Sequence, residues 1–142
     1  MANTKPFVQI ACVCEQAMVE SDNVVSVIRV VDTFAVHLPE ESPEGVKLAI
    51  TLNLVVMLKS GDIKGEYEVA LILRQPNKKS GELRKWPVVF EGGEHGVNAK
   101  IQFNLVQPQF GLYWIDVVWK DETLTSIPFR LKPAETPSES ET

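Results

Sequence analysis

The chain has 142 residues, of which 44% are hydrophobic and 23% charged, with a net charge of -5 and a pI of about 5.1. These values suit one globular domain with a core large enough to need neither metal nor disulfide. They lack the basic face of a nucleic-acid binder and the cationic surface that an anionic membrane attracts.

The opening, MANTKPFVQIACVCEQAM, is broken by Gln9 and Glu15 and is too short and polar for a signal peptide. No window reaches the roughly 18 apolar residues of a membrane span, so the expected compartment is the cytoplasm.

Residues 7–14 read as a first strand. Val8, Ile10, Cys12 and Cys14 share one face, and Phe7, Ala11 and Val13 the other. Apolar character on both faces suggests a strand inside a sandwich. Cys12 and Cys14 read as free, buried thiols, because positions i and i+2 of a strand are poorly placed for a bridge. A redox or metal pair is the alternative reading. Against it, there is no second C-x-C or C-x-x-C, and His37 and His95 lie far off in sequence. Residues 15–23 are polar and end in the turn cluster Ser21-Asp22-Asn23; one helical turn fits over 15–20.

Residues 24–38 form a second extended segment, rich in valine and isoleucine. Asp32 breaks its phase, either through a bulge or because the chain passes there from one sheet to the other. Residues 39–45 are an acidic loop. Residues 46–58 give the cleanest alternation, with Leu48, Ile50, Leu52, Leu54, Val56 and Leu58 in one phase, and exclude a helix. Ser60-Gly61-Asp62 reads as the close of that strand, and residues 66–74 as the next. Gly65-Glu66-Tyr67 is echoed by Gly111-Leu112-Tyr113, which fits two corresponding strands, one in each sheet. Residues 75–85 read as a polar loop. With Arg74, it brings together Lys78, Lys79, Arg84 and Lys85, either as a solvated loop or as a patch for an acidic partner. Residues 86–90 and 97–106 are strands around a flexible turn at 91–96.

Residues 111–131 form a β-hairpin. Tyr113, Ile115, Val117 and Trp119 face in, and Lys120-Asp121-Glu122-Thr123 supplies the reversal. Ile127, Phe129 and Leu131 return on the inward face. Pro128 cannot donate to a ladder, so the return strand is expected at a sheet edge or with that backbone position pointing outward. Beyond Leu131 the tail KPAETPSESET has the composition of a disordered segment, from residue 133 to the end.

No nucleophile–base motif is present, and Gly92-Gly93 has Glu91 and Glu94 beside it, which would repel phosphate. Glu91, Glu94 and His95 are a weak metal set in a loop. The expectation is therefore no enzyme, no metal and no cofactor. The outward set Leu112, Trp114, Asp116 and Val118 is the candidate binding site. An aromatic beside a carboxylate suits a protein interface, including self-association, or a carbohydrate or small-ligand platform on Trp114.

Three stretches, ACVCEQAMVESDNVVSVIRVVDTF, GEYEVALILRQP and GLYWIDVVWKDETLTSIPFRL, resemble a family of short uncharacterised bacterial or phage β-sandwich proteins. Many of its members carry a glycine where this chain has Ser21-Asp22-Asn23. The resemblance implies an immunoglobulin-like sandwich and no assigned activity. The fold expected is a single antiparallel β-sandwich of about seven to nine strands over residues 1–132. The function expected is a non-enzymatic protein-interaction or structural module.

Overall fold

A computed structural model describes residues 5–22, 24–36, 49–106 and 108–134, and none of these is helical. The strands are β1 (Phe7–Val19), β2 (Val25–Val30), β3 (Thr33–Val36), β4 (Ala49–Arg74), β5 (Ser80–Val106), β6 (Gly111–Trp119) and β7 (Glu122–Pro133). They form one sheet in the order β2-β1-β4-β6-β7-β3, with β5 paired to β4.

β4 has 26 residues. A straight strand of that length would run to roughly 85 Å, so it must bend to enclose a core. It bends where Gly61 faces Gly93, and the ladder shifts register on both sides of that pair. The φ angles of Gly61 (61°), Gly65 (119°), Gly92 (89°) and Gly93 (64°) are all positive. Glycine takes these angles without a Cβ clash. The sequence signals at 60–62 and 91–96 are therefore bulges in one continuous ribbon, not a strand end and a flexible turn.

Beyond the bend, the sheet folds back on itself. One half holds β2, β1, residues 49–59 and residues 96–106. The other holds β3, β7, β6, residues 64–74 and residues 80–91. Leu52, Leu54 and Val56 of the first half join Leu71, Ile115 and Phe129 of the second in one buried cluster. Phe103, Val69, Tyr113 and Val117 belong to it as expected, and Tyr67 packs against it partly buried. Tyr113 stacks on Phe129 at 5.0 Å between ring centroids. Its hydroxyl accepts the Gln109 N–H at 2.8 Å and donates to the Gln109 carbonyl at 2.9 Å, fixing the entry to β6.

The sheet is mixed, not purely antiparallel. After β2 the chain crosses at Val31 and Asp32 to the other half, where β3 runs parallel to β7. The Asp32 carbonyl takes the Arg130 N–H at 2.8 Å there. Of the two accounts of Asp32, this is the sheet-to-sheet passage. β7 is therefore paired on both sides at residues 130 and 131, while residues 122–129, Pro128 among them, pair with β6 alone, and β2 and β3 are the outer strands of the order. Lys132 and Pro133, read as tail, belong to β7, and the Ala134 N–H reaches the Val36 carbonyl at 2.8 Å. Residues 135–142 and the acidic loop at 39–45 lie outside the described residues.

Other boundaries moved for local reasons. β1 runs on to Val19 because residues 16–19 pair with β2, so no helical turn forms there. A bulge between Val8 and Ile10 turns Val8 inward with Ala11 and Val13, away from the cysteine face. β5 begins at Ser80, so the polar loop is only the turn after Arg74. The two Gly-x-Tyr strands are antiparallel neighbours in one half, with Val69 opposite Trp119, not one in each sheet. At the β6–β7 turn, Lys120 (φ 50°) and Asp121 (φ 60°) are both left-handed, as a two-residue hairpin turn of matching twist requires.

Leu54 is fully buried, so Leu54→Ala should cost about 2–5 kcal/mol in chemical denaturation. At Gly61 an added Cβ would meet the Phe7 ring at 2.8 Å. Gly61→Ala should lose about 1–3 kcal/mol for its φ alone. Gly81→Ala, where nothing lies within 4 Å, is the control and should be close to neutral. Equal effects at Gly61 and Gly81 would refute the bend as a glycine-dependent feature.

Candidate functional site

The alternation of β6 puts its two faces in different surroundings. Tyr113, Ile115, Val117 and Trp119 are buried, while Leu112, Trp114, Asp116 and Val118 are half-buried on the outer face. Strand register decides what lies beside them. On β4, Arg74 is opposite Trp114, Ile72 opposite Asp116 and Ala70 opposite Val118. On β7, Arg130 is opposite Leu112, Pro128 opposite Trp114 and Ser126 opposite Asp116. All four residues picked out from the sequence thus fall in one row of a single face.

The centre of that row is a polar clamp. Arg74 donates through Nε to Asp116 Oδ2 and through Nη2 to Oδ1, each at 2.9 Å. Ser126 Oγ donates to Oδ1 at 2.6 Å. The Arg74 guanidinium carbon sits 5.4 Å from the Trp114 ring centroid, within cation–π range. The two-pronged geometry holds the guanidinium fork in one plane. Burial by itself would raise the Asp116 pKa. The hydrogen bonds from Arg74 and Ser126, with the Arg74 charge, outweigh it and hold the carboxyl below its ordinary value.

Arg74 and Ser126 were not identified from sequence as members of this site. Arg74 appeared there as the end of a strand and the start of a basic loop. Its pairing across 42 residues is a matter of register, which no local pattern carries. Three of the five basic residues are engaged within the fold: Arg74 binds Asp116, Lys85 pairs with Glu68 at 2.7 Å, and Arg84 donates to the Gln102 carbonyl at 3.2 Å, while Lys78 and Lys79 lie exposed in the turn before β5. A depression of about 370 Å³ continues the face, lined in part by Glu68, Ala70, Lys85, Val118 and Lys120.

The other two tryptophans serve the core. Trp119 is buried 5.4 Å from Tyr67, with Lys120 Nζ 5.2 Å from its ring centroid. Trp86 packs half-buried against the main cluster. His95 lies 3.6 Å from Glu91 on the exposed bend. Among the described residues no three or more His, Cys, Asp or Glu side chains gather as a metal set. No helix among them is long and apolar enough to cross a membrane. Cys12 and Cys14 are both free. Cys14 is buried and Cys12 half-buried, on the face of β1 turned away from the main core.

No family profile matches the sequence, and no curated protein does. Among solved structures the chain resembles the alkylpurine DNA glycosylase AlkC of Pseudomonas fluorescens, bound to DNA containing an abasic site analog. The identity is 11% and the TM-score 0.50, over 92% of this chain and 31% of that one. An immunoglobulin-like protein from Pseudomonas aeruginosa matches at 15% identity and a TM-score of 0.45, over 93% of this chain and all of that one. Beta-glucosidase 3B from Thermotoga neapolitana, in complex with glucose, matches at 10% identity and a TM-score of 0.48, over 56% of this chain. The chain spans 14% of that enzyme's length. At such identities the likeness is one of fold.

The clamp predicts a pH effect. Asp116 has a folded pKa below its unfolded one, so its contribution is complete above the ordinary carboxylate range, near pH 4. That contribution is lost as the pH falls through the folded value. Asp116→Asn should therefore lower stability at neutral pH and narrow its gap to the parent protein in acid. A gap that is constant from neutral pH to acid would contradict the clamp.

Proposed function

We propose that the chain is a non-enzymatic protein-interaction module with an immunoglobulin-like β-sandwich fold, and that it binds a protein partner through the outer face of β4, β6 and β7. The fold reading rests on the Tyr113 contact to the Gln109 backbone, four residues upstream. It has the form of the tyrosine corner of such sandwiches. The functional reading rests on one observation: Trp114 is held half-exposed by the Arg74–Asp116–Ser126 clamp before any partner arrives. A side chain already fixed in its rotamer loses little entropy on docking. A tryptophan and an arginine, side by side and flanked by Leu112 and Val118, have the composition of interface hot spots.

The same geometry disfavours a carbohydrate platform. Arg74 lies against the Trp114 ring where a sugar would stack, and both Asp116 oxygens are engaged. Few acceptors remain on Asp116 for sugar hydroxyls.

Trp114→Ala tests the reading. The variant should keep its melting temperature within a few degrees and lose a protein that the parent captures from native lysate, or lose self-association in sedimentation. A loss of about 3–5 kcal/mol in stability would make Trp114 a packing residue instead. Saturable quenching of Trp114 fluorescence by a soluble oligosaccharide would turn the reading to carbohydrate.

A further inference from the structure

β5 pairs with β4 alone, so its other edge meets no strand among the described residues. From Val97 to Val106 its ladder to β4 runs without a bulge. Hydrogen bonds across the sheet fix which way its backbone groups point. The Val31 N–H donates to the Val13 carbonyl at 2.9 Å, so Val13 faces β2, and its neighbours Cys12 and Cys14 face β4. Their partners Val55 and Asn53 therefore face β1, which leaves Leu52, Leu54 and Val56 to face β5. Phe103, Ile101 and Ala99 lie opposite those three and bond to them. Asn98, Lys100, Gln102 and Asn104 then turn their N–H and C=O groups to the free edge, with their side chains exposed on the outer face. Arg84, from the other half of β5, reaches across to that edge and donates to the Gln102 carbonyl at 3.2 Å.

We propose that this stretch is the interface for a second copy of the chain, paired antiparallel, β5 to β5, about a two-fold axis at Ile101. In that register Lys100 lies opposite the partner's Gln102, and Asn98 opposite the partner's Asn104. Each such pair joins two residues whose backbone groups face the free edge, so each exchanges two hydrogen bonds, about eight in all. The outward side chains meet as lysine with amide and amide with amide, and no like charges oppose each other. A register centred on Lys100 would set two ammonium groups face to face. The Gln102 carbonyl has a second lone pair, so the Arg84 bond leaves it able to accept the partner's Lys100 N–H. Isologous pairing closes on itself and uses up an edge that would otherwise template open-ended addition. The remaining edges suit a second copy less well. β2 has 6 residues, with Arg29 at a φ of 53°, and β3 has 4. The other half of β5 carries Pro87, which has no N–H to offer, and its ladder is broken by a bulge between Leu71 and Ile72. The surface lies in the half of the sheet away from Trp114 and does not depend on that face.

The test is sedimentation velocity of the full chain from micromolar to millimolar concentration, where a monomer–dimer equilibrium is expected. Lys100→Pro removes an N–H that faces the free edge and none from the β4 ladder. It should keep the fold, as a thermal melt checks, and weaken the dimer by about tenfold or more. Two variants at exposed Gln102 leave the backbone alone. Gln102→Glu sets a carboxylate opposite the partner's Lys100 and should tighten the dimer by about threefold or more. Gln102→Lys sets like charges opposite each other and should weaken it as much, since each substitution counts twice at a two-fold interface. Both shifts should shrink at high salt. A chain that stays monomeric at millimolar concentration overturns the proposal. So does a dimer indifferent to both Gln102 variants, or one lost with Trp114→Ala and kept in a folded Lys100→Pro.

Discussion

Gly61 and Gly93 face each other across the β4–β5 ribbon, and the positive φ of both lets two paired strands turn out of one layer into another. The free edge of β4 then offers two pairing sites in succession. β1 takes residues 53–59 before the bend, and β6 takes residues 69–74 after it. Both sites stay in phase with the inward alternation, so Leu52, Leu54 and Val56 meet Leu71 and Leu73 across the core. A straight ribbon would leave those leucines on one open face, with nothing opposite them to exclude water. The bend thus converts a long hairpin into an enclosure, and the strands that follow complete it.

The clamp on Trp114 depends on the same ribbon. Arg74 is the last residue of β4, and its outward direction is set by the phase counted from the bend. A slip of one residue between β4 and β6 would turn Arg74 to the core and strand its charge there. The inward residues resist that slip, because Leu71, Leu73, Ile115 and Val117 are all buried. Core packing on one face therefore fixes the geometry of a polar group on the other. Ser126 adds the third hydrogen bond from β7, whose register follows from a two-residue turn at Lys120 and Asp121.

What could be read from sequence was what alternation carries. Residues 111–131 have one buried and one outward face, so their period of two was visible, and with it the row Leu112, Trp114, Asp116 and Val118. The core set around Leu54 and Ile115 was legible for the same reason. The bend was not. A glycine that lets a ladder bulge and a glycine that ends a strand look alike locally, so Gly61 and Gly93 read as turns. The parallel β3–β7 pair and the Arg74–Asp116 bond were hidden because both join residues distant in sequence. Residues 16–19 misled for another reason. Their mixed polarity belongs to a strand that projects toward β2, where Met18 and Val19 remain exposed.

The Trp114 clamp and the small cluster around Cys14 sit on opposite outer faces, with the main core between them. Stacked sheet layers lie about 10 Å apart, and the side chains on each outer face point further away still. Trp114 and its clamp share no contact with the cluster of Cys14, Ala17 and Val55. Free-energy changes at sites so separated add, unless a third element couples them. The element that touches both is β4, which carries Val55 and Met57 before the bend and Arg74 after it. Between them lie the bulges at Gly61 and Lys64, where the ladder is interrupted. A shift of β4 at the cysteine face would have to pass through those bulges before reaching Arg74. Flexible glycine at positive φ absorbs such a shift rather than transmitting it. The fold therefore keeps the cysteine face and the Trp114 face energetically independent, although one strand runs through both.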